Sequence, residues 1–560
     1  MPGFIIALLL VDSLDFKALD FQAQVCLALL AAVIWFALLG YRDLIEPDEG
    51  RYAEIPREMI AAGDWLTPRL DGYKYFEKPP LQYWTTAVSF ELFGQSNATA
   101  RLWSVSTGFA CALLVWFFGA RLFDPESGFY AFIFTLSGAL YSVLAHVLTL
   151  DTTLTFFLVA GIGCLAIAQS RRDDRTRLRN WMLAGWVALA GAVMTKGLIG
   201  LVLPGGAVVV YSLWQRDWLL WKNLHLGKGL LLFMVLVAPW FVVMSMEHDE
   251  FARFFFIHEH FERYTTTVHN REGSVFYFVP LLVFGIAPWL ASAAQAMVRP
   301  GFDWKTGVKN EFVAPRLLWV FVVLTFVFFS LGDSKLPSYI QPVMPIVALL
   351  AGRSMAAGLG LRGNAWIMLL LASALLVTGV VSPRFAGDNL PVEYLLGFRN
   401  WIFAAALALY LGAALAFAGS RHTLRNTALA GIFALLGFQT IGWGYQELSP
   451  LRSSAAIARQ IEAQGLAEVP IYSVGKYPQS LSFYLGKTIS LVDHTGELAM
   501  GIRADPDRKP ATSSQFIERW QQETQAVALF KHRDYDKFRA LDLPMRVIYE
   551  SPRKIVVARR

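Results

Sequence analysis

Apolar stretches long enough to cross a membrane recur from the start of the chain to about Tyr445. A hydrocarbon core of roughly 30 Å requires about 20 apolar residues in helical form. The chain has 560 residues, 55% of them hydrophobic, and a mean hydropathy of +0.44. These features predict an α-helical polytopic membrane protein of about thirteen transmembrane helices. The predicted spans lie near 22–41, 98–120, 127–147, 150–170, 180–196, 197–215, 229–246, 275–297, 315–331, 338–357, 364–381, 400–419 and 427–445.

Basic residues concentrate in alternate loops and predict the orientation of these spans. The loop after the fourth predicted span reads RRDDRTRLRN, and arginine-rich loops favour the cytoplasmic side. The first long loop, the 247–273 loop, the 332–339 loop and the C-terminal tail are then predicted to share the periplasmic face. The net charge of +6 follows from the basic loops, and no basic run of the nucleic-acid-binding type is present. We therefore expect membrane lipids, and no nucleic acid, as partners.

The composition changes after Gln446, where apolar runs shorten to the length of strands. Strands are predicted within 469–475, 487–493, 525–531 and 546–550, with helices around 479–485 and 514–523. This alternation indicates a small α/β domain. The sequence thus predicts a transmembrane domain over 1–445 and a soluble periplasmic α/β domain over 446–560.

The first long loop, 46–84, is richer in charged and aromatic residues than a connector between spans requires. Pro47 can open a helix whose first turn holds Asp48 and Glu49, where the helix dipole favours anions. Helical spacing places Asp48, Arg51 and Tyr52 on one face. We interpret Asp48 as a catalytic candidate and the other two as substrate-binding candidates; the alternative is that the acidic pair only caps the helix.

Three further residues point to an anionic substrate at the membrane surface. Lys78 precedes two prolines, which hold the chain extended and direct the lysine, although snorkelling at the interface is the alternative. Lys335 and Tyr339 lie in GDSKLPSYIQP just before a span, where a lysine avoids the cost of the bilayer centre. All three are candidate substrate-binding residues.

Two other charged residues lie at the ends of predicted spans. Asp151, in TLDTT, is a second catalytic candidate, with capping of the fourth span as its alternative role. Lys196, in MTKGLIG, resembles Lys335 in its setting but is interpreted as a boundary residue.

The segment FFFIHEHFERY contains a candidate metal site. His258 and His260 bracket an acidic residue, and with Glu77 brought near by folding they would supply a ligand set suited to zinc. A solvated amphipathic helix is the alternative. Arg263, one turn further on, is a candidate anion partner because its planar guanidinium matches phosphate. No cofactor is required by the sequence, and a divalent metal such as zinc is an open alternative.

Several enzyme classes lack their local signatures. The chain has no phosphate-binding loop of the nucleotide-hydrolase type, no G-x-G-x-x-G motif that follows a strand, no G-x-S-x-G and no C-x-x-C. Its three cysteines, Cys26, Cys111 and Cys164, lie in apolar segments and indicate no disulfide framework.

Four segments together resemble a known family: EPDEGRYAEIPREM, GDWLTPRLDGYKYFEKPPLQYW, MTKGLIGLVLPG and SKLPSYIQPVMP. They are similar to the bacterial 4-amino-4-deoxy-L-arabinose lipid A transferases, within the protein O-mannosyltransferase-like (GT-C) polytopic glycosyltransferases. The resemblance implies an inner-membrane pentosyltransferase with its active site on the periplasmic side. Such an enzyme moves aminoarabinose from undecaprenyl phosphate to lipid A phosphates and confers resistance to polymyxin and cationic peptides. By the same resemblance, Asp48 matches the catalytic candidate, Lys78 the lysine of the Glu-Lys-Pro motif, and Arg263 follows the Glu-His pair.

Alternatives remain open at this stage. Another polyprenyl-phosphate-sugar transferase, acting on protein hydroxyls or a glycan, would need Asp48 as a true base. A sugar-lipid transporter would more often show charge at mid-membrane, and a scaffold would not need the Lys-Pro-Pro loop. For the aminoarabinose reaction, Asp48 either orients the acceptor, takes a residual proton or pairs with the ammonium of the sugar.

Overall fold

The computed structural model describes residues 21–262, 273–298, 308–419 and 423–559, without the side chains of 260–262 and 423. The helices of its first half are α1 (Phe21–Phe36), α2 (Asp48–Ala62), α3 (Leu81–Phe93), α4 (Asn97–Leu122), α5 (Pro125–Ser137), α6 (Ala139–Ala145), α7 (Leu150–Gln169), α8 (Arg175–Lys196), α9 (Ile199–Gln215), α10 (Leu219–Lys222), α11 (Leu226–Glu247) and α12 (Asp249–Ala252). A π-helical stretch, Arg253–Glu262, follows. The first loop also forms a hairpin of β1 (Arg69–Leu70) and β2 (Tyr73–Lys74).

The second half continues the helical series and then adds a sheet. Its helices are α13 (Phe278–Ile286), α14 (Leu290–Val298), α15 (Ala314–Leu331), α16 (Val343–Ala356), α17 (Leu361–Val381), α18 (Val392–Phe417), α19 (Thr423–Gly444), α20 (Ser449–Arg452), α21 (Ala455–Ala463), α22 (Gln479–Leu485), α23 (Ala499–Ala504), α24 (Ser513–Gln522) and α25 (His532–Arg539). Its strands are β3 (Ile471–Val474), β4 (Ser490–Val492), β5 (Val527–Phe530), β6 (Met545–Ser551) and β7 (Lys554–Arg559). Short 3₁₀ turns occupy Pro337–Ile340, Ser382–Phe385, Tyr445–Leu448 and Gly496–Leu498.

Seven helical segments are long and apolar enough to cross a membrane. The pairs α5–α6 and α13–α14 pass the same test together but bend by 62° and 117°. The described residues therefore hold seven to nine candidate spans, and α1 and α9 are shorter apolar helices. The predicted polytopic helical fold is confirmed, whereas the predicted number of thirteen spans is not.

One compact unit comprises the described residues up to 37 together with 104–378 and 402–442. Within it α7 and α8 pack along each other as an antiparallel hairpin, and α5 packs against α16. Close approach requires small residues: a Cβ on Gly119 of α4 would lie 2.6 Å from the Cα of Gly128 in α5. The hairpin brings the first turn of α7 to the last turn of α8, which fixes one part of the candidate site.

The second compact unit comprises the described residues within 38–103, 379–401 and 443–559. Its five-stranded sheet has the order β4-β3-β5-β7-β6, with β3 parallel to β4 and β5, and β7 antiparallel to β5 and β6. Phe516, Trp520 and Val557 are fully buried in its core. The predicted C-terminal α/β fold is confirmed, but strand β7 was not predicted. This unit also contains the first loop, which the sequence assigned to the transmembrane domain. The domain boundary at 445 stays a prediction.

Candidate active site

Helix α2 carries the acidic start of the first loop as predicted. It begins at Asp48 after Pro47 and ends where Gly63 adopts a left-handed conformation with φ 65°. The Asp48 side chain is 46% exposed, and its Oδ1 lies 3.4 Å from Nη1 of Arg51. Most of the remaining helix is buried. Asp48 is therefore a carboxylate that a substrate can reach, with a guanidinium beside it.

Arg51 is the centre of a buried polar cluster in this unit. It forms an ion pair with Glu497, whose Oε1 accepts a hydrogen bond from Nε2 of Gln479 at 2.7 Å. Its guanidinium carbon lies 5.7 Å from the ring centre of Tyr52 and 6.0 Å from that of Tyr75. Burial raises the pKa of the Glu497 carboxyl, and Arg51 acts against this rise. The predicted face of Asp48, Arg51 and Tyr52 thus acquires a second carboxylate.

The Lys-Pro-Pro turn holds its lysine inside the protein. Lys78 is 8% exposed, and its Nζ donates to the carbonyl oxygen of Glu77 at 2.7 Å. Pro80 then precedes the first residue of α3. The Lys78 ammonium is held close to the backbone. The expectation that it binds a phosphate stays a prediction.

Glu49 has a structural environment that differs from that of its neighbour Asp48. Its carboxylate is fully buried and accepts from Arg42 at 2.6 and 3.0 Å and from Arg101 at 2.8 and 2.9 Å. Burial raises the pKa of this carboxyl, but Arg101 and Arg42 outweigh that effect and hold the pKa well below its usual range. Glu49 therefore anchors the loop and is not available to a substrate.

A second buried carboxylate, Glu46, anchors the other side of the loop. It accepts hydrogen bonds from Ser454 at 2.5 Å, Ser480 at 2.8 Å and Lys554 at 2.9 Å. Lys476 lies 3.7 Å away. Burial raises the pKa of Glu46, and the two lysines more than offset it, so the net direction is downward.

The other compact unit holds a second charged cluster. Asp151, in the first turn of α7, forms an ion pair with Lys196, the last residue of α8. The Lys196 ammonium also lies 4.9 Å from the ring centre of Tyr339. The structure thus joins the predicted residues Asp151 and Tyr339 through Lys196, which the sequence indicated only as a boundary residue.

Lys335 is engaged by the end of a helix. Its Nζ donates to the carbonyl oxygens of Ser330 at 2.9 Å and Gly332 at 2.6 Å, where α15 terminates. It is 6% exposed, and burial lowers the pKa of its ammonium. Loop placement does not leave the Lys335 ammonium without partners, because it donates to carbonyls that the helix end leaves unpaired. Its binding of phosphate stays a prediction.

The predicted metal site is only partly within the described residues. His258 lies in the π-helical stretch with its ring centre 5.1 Å from that of Phe254. Arg263 and the side chain of His260 lie outside the described residues. Among the residues that are described, no group of three His, Cys, Asp or Glu side chains is arranged to hold a metal. The ligand set of Glu77, His258 and His260 remains a prediction.

Comparison with known proteins assigns the chain to a family. The family described as "Aminoarabinose transferase C-terminal domain" matches residues 457–559, and "Dolichyl-phosphate-mannose-protein mannosyltransferase" matches 24–259. The undecaprenyl phosphate-alpha-4-amino-4-deoxy-L-arabinose arabinosyl transferase of Erwinia tasmaniensis is 32% identical over 413 residues, 70% of this chain and 72% of the relative. That of Edwardsiella ictaluri is 30% identical over 85% of this chain and 87% of its own length. The chain belongs to this family of aminoarabinose transferases.

A solved structure supports the membership over nearly the whole length. The crystal structure of ArnT from Cupriavidus metallidurans bound to undecaprenyl phosphate is 35% identical, with a TM-score of 0.88, covering 95% of this chain and 97% of that chain. Both the sequence and the fold therefore support membership in the aminoarabinose transferase family. The C-terminal match of the family spans strands β3 to β7.

Sequence reasoning missed three members of the two clusters: Glu497, Tyr75 and Lys196. For Lys196, the signal was a lysine directly before a glycine at the end of an apolar helix; Gly197 has φ 80° and ends α8. For Glu497, no local signal exists, because a distant part of the chain brings it to Arg51.

Proposed function

We propose that this aminoarabinose transferase moves 4-amino-4-deoxy-L-arabinose from undecaprenyl phosphate to phosphate groups of lipid A, at the periplasmic face of the inner membrane. The observation that carries the proposal is the 35% identity, over 95% of this chain, to an enzyme whose crystal structure holds undecaprenyl phosphate. Family membership supports the activity, while the acceptor and the face of the membrane are inferred from the family and from loop charge.

An apolar groove supports a polyprenyl donor. The groove has a volume of about 460 Å³, and its lining includes Gly197, the residue after Lys196; Leu201, Phe233 and Phe241 are among its walls. A polyprenyl chain cannot leave the bilayer, since each buried CH₂ contributes about 0.8 kcal/mol. A chain lying in this groove would carry its phosphate towards Lys196.

The Asp151–Lys196–Tyr339 cluster suits the phosphate of such a donor. When the sugar leaves, negative charge grows on the phosphate, and a fixed ammonium stabilises that charge in the transition state. In the absence of substrate, Asp151 neutralises Lys196 and keeps it in position. Lys78, Lys335 and Arg263 remain further candidates for phosphate binding, as the sequence predicts; two of the Lys335 N–H groups already donate to carbonyls.

The Asp48–Arg51–Glu497 cluster suits an acceptor phosphate and a cationic aminosugar. A phosphate acceptor is already an anion and a fair nucleophile, so it needs little help from a base. Arg51 offers a guanidinium for a phosphate, and the exposed Asp48 can pair with the ammonium of the sugar or take a residual proton. The aminoarabinose-specific C-terminal domain favours this reaction over transfer to protein hydroxyls.

The decisive experiment is mass spectrometry of lipid A from cells with and without the protein. We expect an added aminopentose on lipid A phosphate only when the active protein is present, and no addition with Asp48→Asn at equal membrane levels. Unmodified lipid A in all three strains, in cells that supply the donor, would reject lipid A as the acceptor.

A further inference from the structure

We infer that a pocket at the far end of the α7–α8 hairpin binds the phosphate headgroup of an anionic phospholipid in the leaflet opposite the reaction. The pocket has a volume of about 280 Å³, and Arg121, Arg171 and Arg177 form its polar wall. They come from the end of α4, the α7–α8 turn and the start of α8. No step of the proposed reaction uses it.

The position of the pocket separates it from the donor cluster. Asp151 lies in the first turn of α7, and Ser170, which directly follows the last residue of α7, lines the pocket. A 20-residue helix is about 30 Å long, which is the thickness of a hydrocarbon core. The pocket and the Asp151–Lys196 pair therefore lie near opposite surfaces of the bilayer.

The charge of the pocket selects an anion. Its described lining contains three arginines and neither aspartate nor glutamate. Asp174, which caps α8, lies 3.2 Å from Nε of Arg177 and offsets part of its charge. The excess of positive charge favours a headgroup with a net negative charge over a zwitterionic one, whose ammonium would be repelled.

The remaining lining favours a lipid over a free ion. Leu122, Ile167 and Trp181 give the pocket an apolar side, and tryptophan prefers the interface between headgroups and acyl chains. The Arg121 guanidinium carbon lies 5.2 Å from the ring centre of Phe117, whose ring centre is 5.7 Å from that of Trp181. Aromatic packing thus helps to orient one arginine beside a surface that acyl chains can contact.

Not every arginine of this loop lines the pocket, as Arg172 shows. Arg172 forms an ion pair with Asp217 at 2.6 Å and donates to the carbonyl oxygen of Asn310 at 2.9 Å. It does not line the pocket. The same loop therefore contains arginines with a structural partner and arginines directed to the cavity.

Titration of the full-length protein in detergent, followed by native mass spectrometry, tests the assignment. The probes are phosphatidylglycerol, phosphatidylcholine and inorganic phosphate. The test variant is Arg171→Gln/Arg177→Gln, and the matched control is Arg175→Gln/Arg179→Gln, which removes equal charge from exposed residues of the same segment. Arg121→Gln, on another helix, provides an independent test, and thermal melting checks that every variant folds.

We expect phosphatidylglycerol to bind the unaltered protein and the control pair equally, and to bind the test pair and Arg121→Gln about tenfold more weakly or worse. Equal affinities of test and control pairs would overturn the site. Equal binding of phosphatidylcholine would overturn the charge selection. Displacement of the lipid by millimolar inorganic phosphate would identify a free anion as the occupant.

Discussion

At the scale of single residues, neighbours in sequence have opposite roles. Asp48 is exposed and Glu49 is fully buried between two arginines. We expect Asp48→Asn to fold normally and bind donor lipid, while transfer falls roughly 100-fold or more. A transfer assay at matched membrane levels measures this. Near-normal transfer would remove Asp48 from the mechanism.

We expect Glu49→Gln to impair folding and not the chemical step. It leaves Arg42 and Arg101 buried without a compensating charge, and breaking a buried ion pair typically costs about 3–5 kcal/mol. We expect a lower melting temperature and less protein in the membrane. If Glu49→Gln melts like the unaltered protein, the two arginines find other partners and the anchoring role is wrong.

Single and double variants can separate the structural role of the Asp151–Lys196 pair from its functional role. Lys196→Met leaves Asp151 unpaired and should lower stability by about 1–3 kcal/mol. Combining it with Asp151→Asn should restore much of the stability, because neither partner is then charged, but should not restore transfer. Recovery of transfer in the double variant would show that the pair serves folding alone.

At the scale of elements, helix ends explain where sequence reasoning succeeded. Pro47 and the acidic residues after it correctly predict that α2 begins at Asp48. The helical repeat of 3.6 residues correctly places Asp48 beside Arg51. The same signals could not supply Glu497, since pairing across hundreds of residues depends on tertiary folding. Strand β7 was missed because its apolar centre, IVVA, is flanked by basic residues and resembles a charged tail.

The end of α15 yields a prediction at this scale. Lys335→Met removes the donor for two terminal carbonyls, so we expect a loss of about 1 kcal/mol in stability. We expect donor affinity to fall less than in Lys196→Met, because most of the ammonium is engaged with the helix. Lys335→Arg is the control that keeps the charge. A larger loss of donor affinity than of stability would make phosphate binding the main role.

At the scale of the whole molecule, orientation is the property that loop charge predicts. In a background without cysteines, Ser514→Cys should react with an impermeant thiol reagent added to intact spheroplasts, and Asn180→Cys should not. Both positions are exposed in the structure. Protection of Ser514→Cys together with labelling of Asn180→Cys would invert the proposed topology.

A buried carboxyl group, Asp71, in the unit that contains the sheet leads us to expect a pH dependence of stability. Asp71 is 1% exposed, and burial, with Glu58 nearby, raises its carboxyl pKa from 3.8 to about 7. Its Oδ1 accepts from the N–H of Ile489 at 2.8 Å, and Arg508 partly opposes the pKa rise. The folded state therefore retains a proton that the unfolded state loses, so this contribution is complete below about pH 4 and is lost as pH rises through 7.

Asp71→Asn keeps the acceptor oxygen and removes the charge. We expect its melting temperature to exceed that of the unaltered protein, and by more at pH 8 than at pH 5, with a free-energy gain of at most on the order of 4 kcal/mol at pH 8. Thermal melts at both pH values measure this. A variant that is less stable than the unaltered protein at pH 8 would mean that the ionised carboxylate is stabilising.

The contact between Glu46 and Lys554 joins residues 508 positions apart. During synthesis the first loop emerges with a carboxylate whose main cationic partner has not yet been translated. Its anchoring must therefore wait until the last strand has left the ribosome, although the neighbouring helices can already enter the membrane. A chain that stops before Lys554 would lack this anchor, so assembly of the loop that carries Asp48 depends on strand β7.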